Sequence, residues 1–238
     1  MRMLVAAVAA SLMGSTAFAQ DSGWQYNLTA YLWATDTGVS AETPFGTVDA
    51  ELSFSDALQD LDFAFMGAFE ARKGKLSFFT DAMYFKLSPT TTGPGGVVDV
   101  TVPTQMTIIS GFAGYRVYED PSVSVDLAGG FRWAKLDSDP RFANGDEFSV
   151  GDSWADPVLG LRISGRLSDK MTATLFTDYG GFSGESNTWQ ASATLGYDLN
   201  DRWTLLGGYR YMEFNREIDG RDFSLDQSGL LLGATYKF

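Results

Sequence analysis

The sequence predicts an all-β chain folded as an antiparallel, up-and-down transmembrane β-barrel of about ten strands, with eight and twelve as the alternatives. Three observations predict it. Apolar and small polar residues alternate with period two through most of the chain, the signature of strands with two unlike faces. Short polar turns alternate with long, acid-rich connections. The apolar fraction is 45%, yet beyond the first residues no apolar stretch approaches the length of a membrane helix. Lipid admits only helices and closed barrels, because every backbone hydrogen bond must be made internally.

In chain order, the first element is a leader. Met1 and Arg2 precede an apolar run from Met3 to Met13, and Ser15, Thr16, Ala17, Phe18 and Ala19 close it with an A-x-A site. This order predicts a secretory signal peptide over residues 1–19, cleaved after Ala19. The apolar run is too short for the roughly 20 residues of a membrane anchor. The expected mature domain is 20–238, one unit with no linker or low-complexity segment. Cleavage takes away Arg2 alone among the charged residues, leaving 16 basic and 30 acidic side chains, a net charge of −14.

The strands are expected near 24–34, 62–72, 76–87, 103–117, 123–136, 154–167, 170–180, 188–199, 202–214 and 228–238. The clearest is 188–199, where Trp189, Ala191, Ala193, Leu195, Tyr197 and Leu199 share one face. Thr188, Gln190, Ser192, Thr194, Gly196 and Asp198 share the other. The first strand sets Trp24, Tyr26, Leu28, Ala30 and Leu32 against Gln25, Asn27, Thr29, Tyr31 and Trp33. The last sets Leu230, Leu232, Ala234, Tyr236 and Phe238 against Gly229, Leu231, Gly233, Thr235 and Lys237.

Lys73-Gly74-Lys75, Glu119-Asp120-Pro121, Ser168-Asp169-Lys170 and Asn200-Asp201-Arg202 read as short hairpin turns. Four such turns, with both chain ends on their side, give ten strands. The connections near 35–61, 88–102, 137–153, 181–187 and 215–227 read as long loops on the opposite side. Within the first of them Thr47–Phe54 alternates and Ser55–Leu61 suits a capped helical turn; were that segment to cross the membrane, the count would be twelve.

Trp24, Tyr84, Tyr115, Trp133, Tyr179, Trp189, Tyr197, Trp203, Tyr209, Tyr211 and Tyr236 lie near strand ends or on apolar faces, as interfacial girdles require. A soluble barrel would turn polar faces rich in Lys and Glu outward. Here the polar faces carry mostly Ser, Thr, Gly and Gln.

Composition excludes several functions. A strongly acidic chain is repelled by phosphate backbones, so nucleic acid is not an expected partner. There is no cysteine, hence no disulfide and no thiolate metal site. There is no histidine either, which removes the usual general base near neutral pH and every His-dependent triad or dyad. No catalytic residue, cofactor or metal is expected.

A repeated tripeptide sets which way the strands face: Gly114-Tyr115-Arg116, Gly130-Phe131-Arg132, Gly160-Leu161-Arg162 and Gly208-Tyr209-Arg210. Arginine at the bilayer midplane costs about 2 to 4 kcal/mol, so the apolar middle residue faces lipid and Gly and Arg face the lumen. Carried along the chain, this parity turns Glu70, Arg72, Asp81, Asp126, Asp156 and Asp178 inward too. The expected lumen network is Glu70, Arg72, Asp81, Arg116, Asp126, Arg132, Asp156, Arg162, Asp178 and Arg210. By depth, Glu70, Arg72, Asp81, Arg116 and Asp126 are expected to group near the short turns. Arg132, Asp156, Asp178 and Arg210 are expected to group toward the long loops, with Arg162 between.

At the C-terminus, Gly233, Tyr236 and Phe238 form a Gly-x-x-aromatic-x-aromatic ending with the aromatic as final residue. It resembles the insertion signal of Gram-negative outer-membrane β-barrel proteins, although the family form has a polar residue two places before the glycine and this chain has Leu231. The mature chain as a whole resembles small outer-membrane barrels, the group that includes the OmpA-like transmembrane domain. Its opening through Tyr31-Leu32-Trp33 and its stretch Phe65–Arg72 look like those of uncharacterised proteobacterial outer-membrane barrels. The resemblance implies location in the cell outer membrane, contact with outer-membrane lipid, and handling by the barrel assembly machinery through the last strand. It carries over no catalytic residue.

The expected role is structural or surface-exposed within the envelope, the charges pairing to fill a narrow lumen. Two alternatives stand beside it. One is a narrow channel in which unpaired Arg or Asp select small polar solutes or ions. The other is an adhesin that binds a surface ligand through loops 35–61 and 137–153. The long connections also carry Asp36, Glu42, Asp49, Glu51, Asp56, Asp60, Asp137, Asp139, Asp146, Glu147, Asp152, Glu217, Asp219, Asp222 and Asp226. Oxygen ligands of this kind suit calcium or magnesium, but no calcium-loop spacing is present, so they read as a solvated acidic surface.

Overall fold

The computed structural model describes residues 23–43, 46–92, 99–139, 141–142, 150–183, 186–218 and 220–238. The expected signal peptide at 1–19 lies outside the described residues, as do Asp146, Glu147 and Asp219. In chain order the elements are β1 (Gln25–Thr43), β2 (Gly46–Leu52), α1 (Phe54–Gln59), β3 (Leu61–Lys73), β4 (Leu76–Leu87), β5 (Thr90–Thr92) and β6 (Asp99–Thr101). There follow β7 (Thr104–Glu119), β8 (Val123–Ser138), β9 (Arg141–Phe142), β10 (Val150–Arg166), β11 (Met171–Ser183), β12 (Ser186–Asp198), β13 (Trp203–Ile218) and β14 (Arg221–Lys237).

Among the described residues, ten of these strands close a single barrel in which each pairs antiparallel with its sequence neighbour, and β14 pairs back onto β1. The closing seam runs from Asn27↔Lys237 to Ala41↔Phe223. Closure leaves no free edge along the seam, the condition for a sheet in hydrocarbon. β5, β6 and β9 form a separate small sheet.

The four short turns stand where the sequence puts them. Gly74 adopts φ 56, a left-handed conformation that lets β3 turn into β4 within two residues. In the next turn, the Asp120 carboxylate accepts from the Ser122 and Val123 amides at 2.7 and 2.8 Å and from the Tyr118 hydroxyl at 2.7 Å. These bonds, the Tyr118 one foremost, hold its carboxyl below the usual aspartate range.

The long connections differ from the expected loops. β1 continues to Thr43, β10 begins at Val150, and β13 and β14 run on to Ile218 and from Arg221. The ladders persist beyond the lipid while the apolar stripe ends, so the sequence there looks like loop. β2 does not cross the membrane; it folds back on the outer part of β1, from Thr37↔Leu52 to Thr43↔Gly46. Its seven residues fall short of the nine to eleven a crossing needs, and the count is ten. The helix starts earlier than expected: Ser53 caps α1, its hydroxyl accepting from the Asp56 amide at 3.2 Å, and the Phe54 amide donates to Asp36 Oδ1 at 2.8 Å.

The outward face is apolar and exposed over the barrel's waist, with Phe65, Leu127, Phe131, Leu159, Leu175, Leu195, Leu205 and Leu232 among its members. At the short-turn end, Trp203, Tyr236 and Phe238 pack edge to face at 5.0 and 4.9 Å. At the other end Trp189 and Tyr211 pair at 4.7 Å, and the Trp189 indole N–H donates to Glu213 at 3.1 Å, marking where the outward face turns polar. Leu159 is 62% exposed midway along β10. Leu159→Arg should therefore lose about 2 to 4 kcal/mol in a urea titration of protein refolded into vesicles. An unchanged midpoint would place that face in water.

Candidate functional site

The register turns every residue of the expected lumen network to the same side. Arg116 pairs across β7–β8 with Asp126, and Asp126 across β8–β10 with Arg162. Tyr115, Phe131 and Tyr209, the middle residues of three tripeptides, are about half exposed on the outside.

The charges form tiers. In the tier by the short turns, Asp126 is the hub: it takes Arg72 Nη2 at 2.7 Å, Arg116 Nε at 2.9 Å and Arg162 Nη2 at 2.9 Å. Glu70 joins Arg72 at 3.1 Å and Arg162 at 2.9 Å. Arg116 also reaches Glu119 at 2.7 Å, an exposed acid outside the expected network that brings this tier to three guanidiniums and three carboxylates. Arg162 thus belongs to this tier rather than between two clusters.

The second tier is more deeply buried. Arg132 is 0% exposed and holds both Asp178 oxygens at 2.8 Å. Its remaining donors go to Thr188 Oγ1 at 2.8 Å and Ser110 Oγ at 3.2 Å. Gln190 links the halves, donating to Asp178 and accepting from Arg210 Nε at 2.9 Å. Arg210 Nη1 donates to Asp81 Oδ1 and to the Tyr31 hydroxyl, each at 3.2 Å, and Tyr31 donates to Asp81 Oδ2 at 2.7 Å.

One depth assignment is corrected here, and one residue of the outer group finds its partner outside the expected network. Asp81 sits with Arg210, not with Glu70. Asp156 is the register partner of Arg132, yet it pairs with Arg216 at 3.6 Å and accepts from Ser186 at 3.5 Å. Arg132 reaches past it to Asp178, where Nη2 meets both carboxylate oxygens while Nη1 and Nε each find a hydroxyl.

Apolar layers separate and cover the tiers. Phe79 and Phe112 stack at 4.8 Å and Phe176 meets both edge-on, with the Arg162 guanidinium 4.7 Å from the Phe79 ring. Toward the long loops, Trp33, Met83, Met106, Ile108, Trp154, Met212, Phe214 and Leu225 fill the lumen. Arg210 lies over Trp33 at 4.9 Å and Arg216 over Trp154 at 4.7 Å, cation–π contacts that couple charge to plug. A cavity of about 310 Å³ remains between the tiers, lined by Asn27, Glu70, Asp81, Arg162, Ser192 and Arg210 among others.

The inward face was expected to be mostly small and polar; its outer half is not. The signal was legible, since Met83, Met106, Ile108, Met212 and Phe214 share parity with the inward Asp and Arg of their own strands. Gly233, of the C-terminal motif, faces inward against Tyr31, while Tyr236 and Phe238 face outward, and the Phe238 amide donates to Tyr26 O at 3.0 Å. Among the described residues no cluster of three or more acidic, His or Cys side chains is placed to hold a metal.

The sequence profile of the family described as "Outer membrane protein beta-barrel domain" matches residues 4–238. A comparison with curated proteins finds no match. Among solved structures, the outer membrane protease OmpT of Escherichia coli is similar with a TM-score of 0.61 at 10% identity, covering 90% of this chain and 96% of that one. The translocator domain of the autotransporter NalP from Neisseria meningitidis follows at 0.46 and 14% identity, covering 93% and 90%. Ail, the attachment invasion locus protein of Yersinia pestis, matches at 0.40 and 10% identity, covering 91% and 99%.

Proposed function

Because the chain belongs to the outer membrane protein beta-barrel domain family and lies in the outer membrane, we propose that it is a closed barrel with a structural or surface-exposed envelope role, its lumen filled by paired Arg, Asp and Glu. The observation that carries this reading is Arg132: fully buried, its Nη2 on both Asp178 oxygens, every nitrogen engaged. Around it the charges of each tier balance, and an apolar layer stands between this tier and the outside. A conducting pore needs a continuous wet path and charges free to meet an ion. The surface-exposed part of the role falls to the outer ends of β1, β2, β13 and β14.

The reading is non-enzymatic. Likeness to OmpT at 10% identity carries the fold alone, and this chain has no histidine to serve as a general base. Residues 1–19 act as a cleaved leader in this reading, and the strand ending Gly233, Tyr236 and Phe238 is what the assembly machinery reads.

Planar bilayer recording tests the proposal. The folded protein is expected to give no stepwise conductance. Discrete steps that change amplitude when Arg132 or Asp156 is neutralised would replace it with the narrow channel.

A further inference from the structure

The ladder between β1 and β3 runs from Gln25↔Arg72 to Ala30↔Gly67 and stops there. Beyond it β1 stays paired with β14 and takes β2 only from Thr37 outward, while β3 stays paired with β4. Residues 31–36 and 61–66 therefore face each other across a break in the barrel wall.

A groove of about 300 Å³ occupies the break. Its lining mixes two faces that an intact wall keeps apart. Leu32, Leu230 and Leu232 belong to the lipid-facing stripe, 61 to 69% exposed, whereas Trp33, Met83 and Gln227 belong to the lumen. Ala57 and Leu58 of α1 lie along it. The groove is thus continuous with the surface that meets hydrocarbon.

Two polar atoms in this apolar lining have no partner: Trp33 Nε1 and Gln227 Oε1, in residues only 4% and 3% exposed. One is a donor and the other an acceptor. Both are buried, and a polar group left unsatisfied in an apolar lining is costly. A hydroxyl is the small group that accepts from an indole and donates to an amide oxygen.

We propose that this groove binds the acyl chain of a membrane lipid that carries a hydroxyl, the chain lying on Leu32, Leu58, Met66 and Met83. The hydroxyl accepts from Trp33 Nε1 and donates to Gln227 Oε1. The surrounding bilayer supplies the occupant, since the groove opens onto it.

Photo-crosslinking in vesicles tests the site with two fatty acids of equal length and the same terminal diazirine, one of them hydroxylated along its chain. Two added hydrogen bonds should make the hydroxylated probe label peptides holding Leu58, Met66 or Met83 roughly tenfold more than the plain one. Trp33→Phe should reduce that preference. Ala57→Trp fills the groove from a helix with no buried residues, so it should erase the preference even if Trp33→Phe fails to fold. Equal labelling by both probes, labelling spread evenly to the Leu159 and Leu195 faces, or a preference that survives Ala57→Trp would each overturn the proposal. Conductance reads lumen closure separately, so failure of one proposal does not carry the other.

Discussion

Arg132→Ala is expected to lower the stability of the folded barrel by about 3 to 5 kcal/mol, the cost of leaving one member of a buried ion pair uncompensated. The variant strips Asp178 of both its 2.8 Å contacts and leaves that carboxylate, 3% exposed, with Gln190 alone. Thr188 and Ser110 lose their guanidinium partner as well. The paired replacement Arg132→Met with Asp178→Leu should recover most of the loss, because it removes both desolvation costs together and keeps the volume apolar. Urea titrations of vesicle-refolded protein, followed by tryptophan fluorescence, give all three midpoints. Should Arg132→Ala match the parent, the Arg132–Asp178 tier would not be what holds the lumen together.

Gly229→Val should prevent closure outright. Gly229 lies opposite Thr35 in the β14–β1 seam, facing the lumen, and a Cβ there would overlap the carbonyl oxygen of Ala34. The clash is with backbone in a central ladder, so no rotamer change relieves it. Its cost exceeds the about 1 to 3 kcal/mol of ordinary overpacking. The expected result is loss of the folded, heat-modifiable species on a gel, with the chain remaining protease-sensitive. Gly207→Val is the matched control: it lies on the outward face of β13, where an added Cβ meets only a Leu232 methyl at ordinary distance. Folding should survive there. Normal folding of Gly229→Val would show that the seam is looser than this register implies.

Much of the architecture was legible in the chain. The turns at 73–75, 119–121, 168–170 and 200–202 announced themselves through Gly, Pro, Asn and Asp, and together with the long connections between them they divide the chain into the ten barrel strands. The Gly-x-Arg repeats assigned the inward face, because a period of two leaves one choice per strand and arginine in hydrocarbon decides it. The outer ends of β1, β10, β13 and β14 were not legible as strands. Outside lipid there is no apolar stripe to mark them. The helix was placed a residue or two late because Ser53 and Ser55 are equally plausible caps by residue type, and only the geometry at Asp56 selects Ser53.

Partners across the hollow were a different matter. Asp81 reads as a neighbour of Glu70, and Asp156 as one of a group with Arg132, Asp178 and Arg210, if depth is counted along each strand alone. In the closed barrel Asp81 meets Arg210, 129 positions away, and Asp156 meets Arg216. Local alternation by itself determined that this is a barrel and which side chains enter it, since strand sterics and lipid act on each residue in turn. The tertiary structure alone decided which charges meet, how the outer lumen packs, and where the wall opens between β1 and β3. Those follow from strand stagger, which is set when residues near 30 and 230 are joined at one seam.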